Sequence, residues 1–301
     1  MLGFLLSVLE QGLIFSIVSL GVYITYKILD FPDLSVDSTF PLGAAVTALC
    51  LSKSINPFLA TFLSMIAGML AGTITGLLHV KLKITNLLSG ILVMIGLYSI
   101  NLRIMGKSNV SFFNFNTIFS TAKFMSSIIL ILISAVFIKA LLDLFLKTKL
   151  GFMLKVVGDN EQLVTSLGVN KNIIKVIGLM VSNGVVALAG SIMAQQQGYA
   201  AVSMGTGTVV IGLAAVIIGE AVFKKLTFVK STTMALIGAI LYKLTIGAAL
   251  RFGLPPSDLK LVTALIVIIV LGAKNICLKL NVQRKKGGDI IVTDKKPMQS
   301  I

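Results

Sequence analysis

Lys147-Thr-Lys-Leu-Gly-Phe-Met-Leu-Lys-Val-Val-Gly-Asp-Asn-Glu-Gln-Leu-Val-Thr-Ser-Leu-Gly-Val-Asn-Lys-Asn172 is a polar island between two apolar blocks of a 301-residue chain. Asp159 and Asn160 are helix N-cap types, and Glu161 follows in the first turn, where the helix dipole favours a negative charge. Gly168 is placed to end that short helix. Two readings of these residues stay open: a capped helix that a soluble partner can grip, held at a membrane surface by flanking lysines, or a plain cytoplasmic loop.

The apolar blocks on either side set the fold class. Hydrophobic residues make up 56% of the chain and charged residues 12%, about half the charged share of a soluble domain. Mean hydropathy is +1.00. Apolar runs of about 20 residues, the length that crosses a bilayer as a helix, recur along the chain. Lipid offers no hydrogen bonds to the backbone, and barrel periodicity is absent, so the reading is an all-α polytopic transmembrane bundle of about eight to ten spans. The net charge of +15 fits the positive-inside bias of cytoplasmic loops and gives no reason to invoke nucleic acid. Cys50 and Cys277 lie in apolar runs without metal spacing and read as buried reduced thiols. The N-terminus lacks a basic n-region, which argues against a cleaved signal peptide.

Nine apolar segments fall near 4–26, 40–52, 57–79, 86–104, 124–146, 176–198, 206–223, 228–248 and 259–280. They form one membrane domain over 1–280, with a basic tail at 281–301 that reads as disordered. The second segment is short and follows Asp30-Phe-Pro-Asp-Leu-Ser-Val-Asp-Ser-Thr-Phe-Pro41, where two prolines and three aspartates are expected to interrupt any helix. Non-helical polar chain at membrane depth survives only inside protein or beside water, so 30–41 is a surface loop or the re-entrant wall of a pathway, with the broken segment near 30–52. With the 147–175 loop placed in the cytoplasm, alternation puts about 18 of the 26 Lys and Arg inside, including Lys27, Lys81, Lys83, Lys224, Lys225 and Lys230. The N-terminus then lies outside and the C-terminus in the cytoplasm. The external, polar-aromatic loop at about 105–123 is a candidate rim for a docking partner.

Catalysis finds no support: no His-Glu-x-x-His, Gly-x-Ser-x-Gly or P-loop pattern occurs, and the single histidine, His79, reads as an interfacial polar residue. Intramembrane charges are few. Lys139 with Asp143, and Glu220 with Lys224, are spaced as structural i,i+4 pairs, whereas Glu10 has no local partner. Gly68, Gly72 and Gly76 form a stripe whose default meaning is close helix packing, and Thr73 and Thr75 can satisfy themselves on their own backbone. Asn86, Ser89 and Gly90, with Asn101 further along, put a polar stripe on one membrane helix. Helix–helix glue and pathway lining are both open for that stripe.

Asp33-Leu-Ser-Val-Asp37 followed by Pro41-Leu-Gly-Ala-Ala45 resembles the branched-chain amino acid/ribose-type permeases of ATP-binding-cassette (ABC) importers, specifically the tryptophan/tyrosine-type branch. So do Asn86-Leu-Leu-Ser-Gly-Ile-Leu92 and Leu97-Tyr-Ser-Ile-Asn-Leu-Arg-Ile-Met-Gly106. The run from Gly151 through Gly158-Asp-Asn160 to Gly168 looks like that superfamily's coupling segment, although Lys155-Val156 stands where many relatives carry Arg-Ala. The resemblance covers roughly 10–280.

It implies a type II importer-like fold in a bacterial plasma membrane, working as a homodimer. Each copy would contact a cytoplasmic ATPase subunit through Gly151, Lys155, Gly158, Asp159, Asn160, Glu161 and Gly168. ATP and Mg²⁺ would be bound by that ATPase, and no cofactor by this chain. An extracellular binding lipoprotein would deliver the solute, an amino acid with aromatic ones favoured. The path would run past Asp33, Ser35, Asp37, Asn86, Ser89, Gly90 and Asn101. Replacing Gly158-Asp-Asn160 by alanines is expected to preserve the fold and uncouple ATP hydrolysis from uptake. The alternative is an ion-coupled secondary transporter, which needs a partnered intramembrane carboxylate among Glu10, Asp143 and Glu220.

Overall fold

The computed structural model describes residues 2–121, 126–223 and 229–251, with isolated stretches between 258 and 272. The ninth apolar segment, Lys224, Cys277 and the 281–301 tail lie essentially outside the described residues. Among the described residues, seven helices are long and apolar enough to cross a membrane, and the chain is a polytopic all-α bundle. The spanning elements are α1 (Leu2–Tyr23, continued by a π-turn Ile24–Ile28), α3 (Pro57–Leu82), α4 (Asn86–Met105), α6 (Ser127–Phe145), α9 (Lys171–Gln197), α10 (Thr208–Phe223, preceded by a 3-10 turn Val202–Gly205) and α11 (Ser231–Arg251). A shorter apolar helix, α2 (Val36–Ser52), fills the middle. The short helices α5 (Ile118–Thr121), α7 (Lys149–Asp159) and α8 (Glu161–Ser166) lie in the connections.

The 30–41 stretch takes the buried one of the two courses open to it, and departs from expectation in that Pro41 does not interrupt a helix. Asp30 turns the chain with a left-handed φ of 51°, and Phe31, Asp33 and Ser35 are buried, so the stretch enters the protein interior rather than looping over its surface. The helix resumes at Val36 and continues through Pro41. Pro41 is the sixth residue of α2 and has no amide to donate, so the helical hydrogen bond that would reach the Asp37 carbonyl is lost. Gly205 packs directly against that freed oxygen, and a side chain there would strike it.

Small residues explain how α2 fits. Gly43 abuts the Ala187 carbonyl and Gly190 the Phe40 carbonyl, so the backbones of α2 and α9 touch. On α3, Gly68, Gly72 and Gly76 face Asn183, Leu179 and Val176 of α9, which is the packing role expected of that stripe. Hydroxyls bridge the same three helices: Thr47 Oγ1 donates to Ser191 Oγ at 2.6 Å, and Gln195 Nε2 to Thr61 Oγ1 at 2.9 Å. Thr73 and Thr75 donate to their own backbone, to Met69 and Ala71.

The chain order conceals a repeat. Both α1 and α9 are long, each is followed by a re-entrant break and a short helix (α2, α10), then another long helix (α3, α11). α9 packs on α2 and α3 as α1 packs on α10 and α11. α1 ends against α7, whereas α9 begins beside α8, so the two triplets run in opposite directions. At the far end of the bundle, β1 (Asn109–Ser111), just after α4, pairs antiparallel with β2 (Tyr199–Ala201), just after α9.

Candidate functional site

Two regions carry the polar chemistry. The first is where the breaks after α1 and after α9 meet, halfway along the bundle. Asp33 bends its carboxylate back to accept from Ser35 N at 2.9 Å, and its other oxygen accepts from Asn183 Nδ2 at 2.8 Å. Ser35 Oγ closes the ring by donating to Asn183 Oδ1 at 3.1 Å. Gly90 of α4 lies so close to Leu34 and Asp33 that a Cβ would not fit. Among the described residues no cationic side chain pairs with Asp33.

Asp37, one turn on, reaches across to the other triplet. Its two oxygens accept from Gly207 N at 3.1 Å and Val209 N at 2.8 Å, capping the start of α10. A carboxylate at a helix N-terminus satisfies orphan donors and suits the dipole. Asp37 also lines a cavity of about 530 Å³ between α2, α4 and the turn before α10, with Ser38, Met94, Ile95, Tyr98, Ser99, Val202, Ser203 and Thr206. Of the residues expected along a path, Asp37 alone lines this cavity. Asp33, Ser35, Ser89, Gly90 and Asn101 are packed between helices, and Asn86 is half-buried at the start of α4. Asn101 Nδ2 donates to the Ser38 carbonyl at 3.0 Å, one turn before Pro41, while its Oδ1 meets no partner among the described residues.

The second region is the 147–175 hairpin. Thr148 caps α7 by accepting from Gly151 N, and Gly151 packs against the end of α6, at Phe145 and Leu146. Gly158 rests on the Ile28 carbonyl at the end of α1's π-turn, where any Cβ would collide. Asn160 Oδ1 caps α8, accepting from Gln162 N at 3.0 Å and Leu163 N at 3.3 Å. Gly168 ends α8 with φ of 72°. Glu161 pairs with Lys171 at 2.8 Å and also with Lys175; hydrogen bonds from the two ammonium groups hold its carboxyl below the usual carboxylate range. Lys155, Asp159 and Asn160 are exposed, as are Phe152, Leu163 and Leu167. Buried Leu154, Val157 and Val164 anchor the same two helices. The hairpin therefore presents an apolar and polar face outward while its back is fixed to α1, α6 and α9.

The remaining charges add contacts between helices. Glu220 forms an ion pair with Lys27 at 3.0 Å, across helices, and the expected Lys224 pair lies outside the described residues. Glu10, which has no local partner, accepts from the distant Gln196 Nε2 at 2.9 Å. Lys139 and Asp143 pair as expected at 3.1 Å, but Asp143 also takes Lys230 at 3.0 Å and Thr232 at 2.6 Å. His79 Nδ1 donates to the Ile84 carbonyl, 2.8 Å away, with its ring edge-on to Phe31. Two groups escaped the sequence reading. Asn183 organises the Asp33 turn, and Lys243 lies midway along α11 with its ammonium 3.9 Å above the Phe15 ring centroid. A lone polar residue in a 20-residue apolar run was the only available signal for each.

Comparison with known proteins gives this bundle its family. Residues 4–272 match the profile of the permease component of branched-chain amino acid transport systems. The chain is 52% identical over 282 residues, 94% of both chains, to a tyrosine transport system permease protein of Clostridioides difficile (strain R20291). It is 33% identical over 276 residues to an uncharacterized protein of Rickettsia prowazekii (strain Madrid E), covering 90% of this chain and 98% of that one. No solved structure matches.

Proposed function

Because the chain belongs to the permease family of branched-chain amino acid transport systems, we propose that it is the membrane subunit of an ABC importer for tyrosine or a closely related aromatic amino acid. Two copies form the path, an extracellular binding lipoprotein delivers the solute, and a cytoplasmic ATPase subunit on each copy supplies the energy. ATP and Mg²⁺ belong to that ATPase. The solute assignment rests on the Clostridioides relative, which shares more than half of the aligned residues.

The observation that carries the coupling reading is the hairpin's construction. Its exposed side offers Phe152, Leu163 and Leu167 among polar residues, while Gly158 seats its back on the last turn of α1. A push on α7 and α8 is thus delivered to Ile28 and Leu29, a few residues before the Asp33 turn. From there Asn183 and Asp37 connect to α9 and α10. A bundle with two packings needs only a partner that favours one of them at each stage of its cycle. The buried Asp33, with no cation among the described residues, gives the ion-coupled alternative its one observation; uptake that persists without ATP and collapses with the ion gradient would favour it.

The glycine contact changes how coupling is tested. Alanine at Gly158 would push α7 off α1, so a Gly158–Asn160 triple alanine confounds uncoupling with undocking. Leu163→Ser with Leu167→Ser alters only exposed side chains. In proteoliposomes containing the ATPase and binding protein, that variant is expected to lose most solute uptake while the permease keeps its wild-type melting temperature. Undiminished uptake would sink the coupling assignment.

A further inference from the structure

The cavity bounded by α2, α4 and the 202–206 turn has a composition that selects a ligand class. Its volume of about 530 Å³ falls in the range of small-molecule sites. Asp37 is the only acidic or basic side chain among those lining it, Tyr98 being a phenol. A carboxylate has about four acceptor positions; Gly207 N and Val209 N take one on each oxygen, with the Thr208 amide beside them. The remaining positions and the formal negative charge have no cationic side chain to meet among the described residues. In a low-dielectric interior a carboxylate met only by backbone amides still attracts a cation and repels an anion more strongly than it does in water. The other walls are a phenol ring, Tyr98, and apolar Met94 and Ile95, with the hydroxyls of Ser99 and Ser203 at the edge. Tyr98 and Ile95 are more than half exposed, at 53% and 60%, so the cavity opens sideways on the α4 face.

We propose that this cavity is an ammonium-reading subsite on the solute's route, in which Asp37 takes the amino group of an aromatic amino acid while its ring lies against Tyr98 and Met94. The solute's own carboxylate, repelled by Asp37, turns to the Ser99 and Ser203 hydroxyls. This deepens the permease reading above and rests on it. The subsite also reports on gating, because the carboxylate that meets the ammonium is the one that caps α10. A bound cation weakens the pull of Asp37 on the Gly207 and Val209 amides and so loosens the contact between the two helix breaks.

The test uses the purified full-length permease in lipid nanodiscs and saturation-transfer NMR with three probes: tyrosine, tyramine, which keeps the amine only, and 3-(4-hydroxyphenyl)propionate, which keeps the carboxylate only. Tyrosine and tyramine are expected to bind and the propionate not. Asp37→Asn, which still accepts from one backbone amide, is expected to weaken both amines about tenfold or more, the loss of a charged hydrogen bond. Tyr98→Ala is expected to weaken both without admitting the propionate. Propionate binding as tight as tyramine binding, or Asp37→Asn retaining wild-type affinity, overturns the proposal. Should Asp37→Asn fail to fold, the three-probe comparison on the unaltered protein decides alone. Uptake driven through the hairpin is measured separately, so loss of this subsite with intact ATP-driven uptake refutes the subsite and leaves the importer reading standing.

Discussion

Lys243 shows what one residue costs in a bundle like this. An ammonium midway along a membrane helix is unfavourable by about 3 kcal/mol, and a ring face returns about 0.5–2 kcal/mol of that. The ring is Phe15, itself stacked on Phe40 with centroids 5.9 Å apart. Lys243→Met is therefore expected to raise the stability of the detergent-solubilised protein by about 1 kcal/mol or more, read as a higher melting temperature; a lower one would mean that the ammonium has a stabilising role beyond the ring. Gly43 tests the opposite limit. With α2 backbone against the Ala187 carbonyl, Gly43→Leu must part α2 from α9, and the variant is expected not to accumulate in the membrane, whereas Gly96→Leu, where a Cβ meets nothing within 4 Å, is expected to accumulate normally.

The hairpin is the element whose stability depends most plainly on charge. Glu161 lies in the first turn of α8, but its main partners are Lys171 and Lys175 at the start of α9, so it closes the hairpin as well as favouring the dipole. Its carboxyl is held below the usual carboxylate range. A depressed pKa stabilises the folded form at any pH above the ordinary glutamate value, and that contribution fades as pH falls from there toward the lowered value. Glu161 is substantially exposed, so solvent screens the pairs and the effect is modest. Amide exchange over 161–170 is expected to quicken as pH drops below the normal glutamate range, after correction for the intrinsic rate, and Glu161→Gln is expected to show the faster exchange at neutral pH with no further change on acidification. A variant that still responds to acid in the same window would place the titrating group elsewhere.

For the whole molecule, the opposed triplets have a simple consequence. The breaks after α1 and α9 enter from opposite ends and meet where Asp37 caps α10, so the hairpin and the β1–β2 ribbon lie at opposite ends. Lys27, Glu220, Asp143 and Lys230 gather at the hairpin end, the end that the positive-inside bias leads one to expect in the cytoplasm. In sealed right-side-out vesicles, a membrane-impermeant thiol reagent is expected to label Asn109→Cys and to spare Asn160→Cys until the vesicles are opened. Labelling of Asn160→Cys from outside would invert the topology and remove the hairpin from any cytoplasmic ATPase.

Periodicity and length alone specified the membrane bundle, because a backbone in hydrocarbon has few ways to satisfy its hydrogen bonds and about 20 apolar residues leave only the helix. The caps of α8 at Asn160 and Gly168, and the packing role of Gly68, Gly72 and Gly76, were equally local and equally legible. The course of 30–41 was not, since the helix through Pro41 packs its freed Asp37 carbonyl against Gly205, in a segment more than 160 residues away. Nor were the Glu10, Glu220 and Asn183 contacts, each of which joins helices distant in sequence. A carboxylate in a membrane interior takes whichever donor the helix packing brings beside it, and that choice is made in three dimensions.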